Sequence, residues 1–150
     1  MSEITIRKLG AADQPAWEAL WRDNLLHFGA GEGAFAALPG LWQRLLAPDE
    51  PLHGWLMLLD HAPAGLAHVV LRAHTFSPRP VGILEDLWVA QAARGRGLAQ
   101  AMIRRLVQEG QAGGWTKLEW QTDTGNLTAQ AVYDRIAEPV AVRRYQISLA

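Results

Sequence analysis

The chain has 150 residues, enough for one core that buries roughly two thirds of the surface an unfolded chain of this size exposes. Its 49% hydrophobic and 19% charged residues lie far from the polar, highly charged compositions that stay disordered. With 14 Lys plus Arg against 15 Asp plus Glu and no cysteine, the composition offers no positive field for nucleic acid, no disulfide and no thiolate metal site.

The polar start Met1-Ser2-Glu3 begins no signal peptide, and the longest apolar run, Gly54 to Leu59, is far short of the ~20 residues a membrane helix needs. A cytoplasmic protein that does not span a membrane is expected. Ile4 and Ile6 alternate with Thr5 and Arg7 and predict a short strand stopped by Gly10. Asp13 is placed to cap a helix with Pro15 in its first turn, and Trp17, Leu20, Trp21 and Leu25 fall on one face of it. Gly29, Gly31 and Gly33 loosen the chain before a second helix over about residues 34–46, ended by Pro48 and Pro51. Residues 55–59 and 66–74 read as the strands of a hairpin, and residues 83–89 as a further strand with Glu85 and Asp86 inside an apolar run.

Gly95 and Gly97 open a long helix with Ala99, Met102, Ile103, Leu106, Val107 and Gly110 along one stripe, ended by Gly113-Gly114. A strand over residues 116–122, a short helix over 126–136 and closing strand material over 140–149 complete the order. This order predicts one α/β (α+β) domain over residues 1–150, built on a mixed sheet. Arg94-Gly95-Arg96-Gly97-Leu98-Ala99 lies between strand and helix, where free N–H groups and the helix dipole favour an anion such as phosphate. The same glycines also suit a plain tight turn. Gln100 stands where the dinucleotide fingerprint needs a small residue, and the Gly-Lys-Ser/Thr of a nucleotide loop is absent.

Leu84-Glu85-Asp86-Leu87-Trp88-Val89, then Arg94-Gly95-Arg96-Gly97-Leu98-Ala99 and an amphipathic helix, closely resemble the acetyl-CoA signature of the GCN5-related N-acetyltransferase (GNAT) family. Trp120-Gln121-Thr122 followed by Asn126, Ala129, Tyr133 and Asp134 is similar to the family's second signature. The likeness is nearest the diamine, polyamine and histone-acetylating branch. It implies a single GNAT-like domain with a mixed, mostly antiparallel central sheet of about six to seven strands and helices on both faces. It also implies acetyl-CoA as acyl donor, bound over Arg94, Gly95, Arg96, Gly97, Leu98 and Ala99, its pyrophosphate held by the backbone amides from Arg96 to Ala99; the five histidines show no paired metal spacing and no cysteine is present, so no metal is expected. The pantetheine arm would pair with the main chain of Leu87 and Val89, with Asn126 nearby. Relatives often pair through their last strands, so a homodimer is expected. The departure comes after Tyr133, where Ile136-Ala137-Glu138-Pro139 replaces the usual Gly-Phe entry to a final hairpin.

Transfer to a primary amine requires that an ammonium of pKa near ~10.4 lose a proton, and that a thiolate of pKa roughly 8.5 depart. A phenol near ~10 can protonate that thiolate, and Tyr133 fits; the alternative is a core tyrosine. Glu85 is favoured as base, through water, sharing a face with Leu87 and Val89, whereas adjacent Asp86 should point to the opposite face and serve the structure or bind a second cationic group. For both carboxylates a solvated edge or an ion pair stands as the alternative, and Asn126 could simply cap its helix. Trp21, with Trp17 or Trp88, could line an amine pocket by cation–π contact or belong to the core. The acceptor is thus a small-molecule amine or a lysine side chain. A non-catalytic acyl-CoA-binding module, or transfer of a longer acyl chain, are the alternatives.

Overall fold

The computed structural model describes residues 2–150. Five strands, β1 (Ile4–Lys8), β2 (Leu52–Leu59), β3 (Ala62–Arg72), β4 (Val81–Val89) and β5 (Leu118–Glu119), form one sheet in chain order. The first four are antiparallel neighbours and β4 pairs with β5 in parallel, a crossover that the long helix α4 (Leu98–Gly113) makes possible. Helices α1 (Gln14–His27), α2 (Glu32–Ala36) and α3 (Leu38–Leu46) connect β1 to β2, and α5 (Leu127–Tyr133) follows β5.

Strand alternation sends side chains to two separate cores. Leu52, Leu56, Leu66 and Trp88 pack under α1 and α3 against Trp17, Leu20, Trp21, Trp42 and Leu45. Trp55, Met57, Ala67, Val69 and Leu84 pack on the other face against Leu98, Met102, Ile103 and Leu106 of α4. The sheet is therefore covered on both faces, as expected for α/β layering. Trp115 seats where Gly82 and Gly110 leave room: a Cβ at either glycine would lie 2.5 Å or 2.8 Å from its ring.

Two expectations change. Asp13 does not cap α1 with its side chain; its carboxylate instead takes two hydrogen bonds from the Arg7 guanidinium, at 2.6 and 2.7 Å, and one from the Gly10 amide. Those donors hold the Asp13 carboxyl below the usual carboxylate range. Residues 138–150, which include the closing strand expected over 140–149, form neither helix nor strand and are exposed, so the sheet has five strands rather than six or seven. The apolar alternation of Val140 and Val142 is present, but alternation makes a strand only where a partner edge accepts its hydrogen bonds. No helix among the described residues is long and apolar enough to cross a membrane.

Candidate active site

The glycine loop is built by backbone geometry. After β4 a short turn over Gln91–Ala93 leads to Arg94, then Gly95 and Gly97 take φ of +78° and +79°, conformations that cost side-chain-bearing residues roughly 1–2 kcal/mol. Nothing lies within 4 Å of where a Cβ would stand at either position, so the space over the loop is open. The first hydrogen bond of α4 runs from the Ala101 amide to the Gly97 carbonyl at 3.0 Å. The amides of Leu98, Ala99 and Gln100 come before it and are left for an outside acceptor. Open space, successive N–H groups and a helix start fit a pyrophosphate. Arg94 lies across the Trp88 ring, 4.8 Å from its centroid, and donates to the Val89 carbonyl at 3.1 Å, which ties the turn to the end of β4. Arg105 faces away from the loop, donating to the Ile6 carbonyl at 2.6 Å and to Glu109 at 2.9 Å.

The second half of the site is a gap in the sheet. β4 and β5 pair only at Gly82 with Leu118 and Ile83 with Glu119; beyond that the strands part, so β4 from Leu84 to Val89 has no strand on this edge. Leu87 and Val89 turn their half-buried side chains toward the α4 core. A cleft of about 380 Å3 fills the gap, with Glu85, Asp86, Asp123, Asn126 and Tyr133 in its wall and no lysine or arginine among the residues that line it.

Both strand carboxylates reach this cleft, against the expectation that only one would. The cause is a bulge. Going along β3, His68 pairs with Asp86 but the next residue, Val69, pairs with Leu84, so Glu85 is an extra residue with no partner. A bulge interrupts alternation and re-aims side chains: Leu84 and Leu87 both face α4, while Trp88 faces α1, and Asp86 meets His68, which touches Trp17 of α1. Glu85 is exposed at the cleft.

Tyr133 closes α5 with its ring edge against Trp120, centroids 5.5 Å apart at 71°. Burial pushes its phenol above the ordinary tyrosine value. Asn126 both caps α5, accepting the Ala129 amide at 3.2 Å, and lines the cleft. Trp21 is buried in the α1 core beside His68 and is not in the cleft wall. Two further polar residues, Asp123 in the cleft wall and His68 behind Asp86, were not marked by the sequence. Asp123 sits in a polar loop with nothing to distinguish it, but His68 stands alone among Leu66, Ala67, Val69 and Val70, where a buried polar side chain needs a partner.

A mixed sheet thus opens between two parallel strands, beside a left-handed glycine turn and a helix start. The chain belongs to the acetyltransferase (GNAT) family, whose model matches residues 14–137; it is an N-acetyltransferase-type enzyme. The D-amino-acid N-acetyltransferase HPA3 of Saccharomyces cerevisiae is 24% identical over 142 residues, which cover 89% of this chain and 84% of that one. Among solved structures, a ribosomal-protein-alanine N-acetyltransferase from Brucella melitensis superposes with a TM-score of 0.80 at 18% identity, covering 98% of this chain and 100% of that one. The aminoglycoside N-acetyltransferase AAC(6')-Iy, solved with CoA, gives 0.81 at 22% identity, over 100% of this chain and 97% of that one. These two likenesses establish the fold.

Proposed function

We propose that the chain, acting as one unit over residues 1–150, transfers an acetyl group from acetyl-CoA to a primary amine of a small, multiply cationic molecule. The observation that carries this reading is the convergence of Glu85, Asp86 and Asp123 with Tyr133 on one cleft beside the glycine loop. Carboxylates gathered in a part-enclosed cleft repel one another, and a cationic amine relieves that repulsion. The names of relatives that act on aminoglycosides and D-amino acids are in keeping with amino-group acceptors. A lysine side chain offers the same ammonium, but a small polyamine meets more of the carboxylates at once.

Acetyl-CoA, when bound, supplies the activated acyl carbon. The loop amides from Arg96 to Ala99 hold its phosphates, and the free edge of β4 at Leu87 and Val89 receives its arm. Glu85 takes the proton that the acceptor ammonium must lose, through water. As the C–N bond forms and the C–S bond breaks, Tyr133 passes its phenolic proton to the departing sulfur, and the second N–H proton of the acceptor returns through water to the tyrosinate, leaving amide, thiol and neutral Tyr133. Asp86 fixes a second cationic group of the acceptor. The exposed segment over residues 138–150, with Val140, Val142, Tyr145 and Ile147 facing solvent, supports a homodimer in which it pairs with a second copy.

An acetylation panel of diamines, aminoglycosides, D-amino acids and lysine peptides, run with acetyl-CoA and with longer acyl-CoAs, tests the reading. Multiply cationic small amines should give the highest kcat/KM. Preference for neutral or anionic acceptors would refute the acceptor class, and acetyl-CoA binding with no transfer to any amine would mark a binding module.

A further inference from the structure

The cleft is wired to the core. His68 of β3 is 1% exposed, enclosed by the α1 side of the sheet. The Trp17 indole donates its N–H to His68 Nε2 at 2.9 Å, and the edge of Trp21 packs on the imidazole with centroids 4.7 Å apart. An indole nitrogen is a donor only, so Nε2 must be the accepting nitrogen and the ring hydrogen sits on Nδ1. Nδ1 lies 3.0 Å from Asp86 Oδ2, and a carboxylate is an acceptor only. Both ends therefore agree on one arrangement: Trp17 donates to His68, and His68 donates to Asp86. Asp86, whose side chain is 34% exposed, is the member that reaches the cleft.

We propose that His68 is a positioning residue that, anchored by Trp17, holds the Asp86 carboxylate in one orientation for a cationic group of the acceptor. This rests on reading the cleft as an amine site. One Asp86 oxygen is occupied by the imidazole N–H, and the other is left for the ligand. The chain of donors fixes the rotamer from the interior outward, in the manner in which an outer hydrogen bond orients a ligand-binding group. Burial alone requires that both ring nitrogens be paired; what the geometry adds is a tautomer whose N–H is aimed at the one member of the chain that reaches the cleft. The bulge at Glu85 contributes, because it brings Asp86 opposite His68 while Leu84 stays opposite Val69.

Two substitutions separate the ends of the chain. In His68→Asn the amide NH2 replaces Nδ1 and still reaches Asp86, while the acceptor for Trp17 is lost. In His68→Gln the amide oxygen replaces Nε2 and still receives Trp17, while the donor to Asp86 is lost. His68→Asn leaves the buried Trp17 indole N–H without an acceptor, and His68→Gln leaves the part-exposed Asp86 without its donor; a purely structural histidine would give two variants of similar kinetics and reduced stability. Under the proposal His68→Gln raises KM for 1,4-diaminobutane by roughly 10-fold, the loss of about one oriented contact, with little change in kcat or in KM for acetyl-CoA. His68→Asn keeps KM near that of the wild type. The 1H–15N spectrum of histidine-labelled protein supplies a readout that needs no turnover: a hydrogen-bonded Nδ1–H resonance that shifts when 1,4-diaminobutane is added. Equal KM values in the two variants, or a ring proton found on Nε2, would overturn the proposal. An enzyme that acetylates other amines while the Nδ1–H signal ignores every diamine would instead overturn the acceptor reading.

Discussion

At the residue scale, Tyr133 carries the sharpest expectation. Burial raises its phenol above the ordinary value, so the proton that the proposed mechanism assigns to it is present throughout the neutral range and is lost only as pH climbs past that of an exposed tyrosine. Tyr133→Phe should lower kcat roughly 10²–10⁴-fold and leave acetyl-CoA affinity nearly unchanged. The alkaline fall of the wild-type kcat profile should vanish with it. A phenylalanine variant with wild-type turnover would return Tyr133 to a packing role against Trp120. Tyr133 and Asn126 were singled out by the resemblance to the family's second signature, in which seven residues, two helical turns, set them on one face, and both line the cleft. The partner of Asp86 was not singled out, since His68 lies 18 residues away on a neighbouring strand and only strand pairing brings them together.

At the element scale, the glycine loop is a matter of backbone handedness. The sequence marked Gly95 and Gly97 as a turn or a phosphate loop, and periodicity could not choose. Positive φ at both, open space above them and unpaired amides at the start of α4 show why no other residue serves as well. Gly97→Ala should therefore lose stability through strain alone, by roughly 1–2 kcal/mol in the apo protein. It should also lose the protection that acetyl-CoA gives, which at 100 times Kd amounts to about 2.7 kcal/mol in the wild type. Thermal unfolding with and without acetyl-CoA separates the two effects. Full protection in a Gly97→Ala protein that is strained but folded would remove the loop from the phosphate site.

At the scale of the whole molecule, the layering was readable because helix and strand periodicities differ. Trp17 and Trp21 are buried as their shared apolar face implied, Trp42 and Trp55 are buried with them, and the helix that ends at Gly113-Gly114 has its left-handed cap at Gly114. What periodicity misjudged were the points where a neighbouring strand decides. The segment over residues 138–150 alternates but has no partner edge, and β5 is only Leu118–Glu119 where alternation predicted a longer strand. The short pairing leaves the sheet open at Leu84, and that opening is the cleft. The two cores meet at β4, so the same strand is held by tryptophans of α1 on one side and by α4 on the other.

The unpaired residue in β4 also sets how this gene tolerates changes in length. A one-residue slip in a buried strand normally turns every following side chain to the wrong face. Here Leu84 already sits opposite Val69 and Asp86 opposite His68, so deleting Glu85 would join two correctly facing halves into a regular strand. The shortened protein should fold with a melting temperature close to that of the wild type, yet transfer acetyl groups poorly, because the proposed base is gone and the strand no longer bends at the cleft. Insertion of an alanine after Leu87 should instead destabilise it strongly, because Trp88 and Val89 would each turn toward the wrong core. A deletion variant that aggregates as readily as the insertion would show that the bulge supports the fold itself. Circular dichroism melts of the two length variants decide between a strand that carries a removable catalytic insert and one that depends on it.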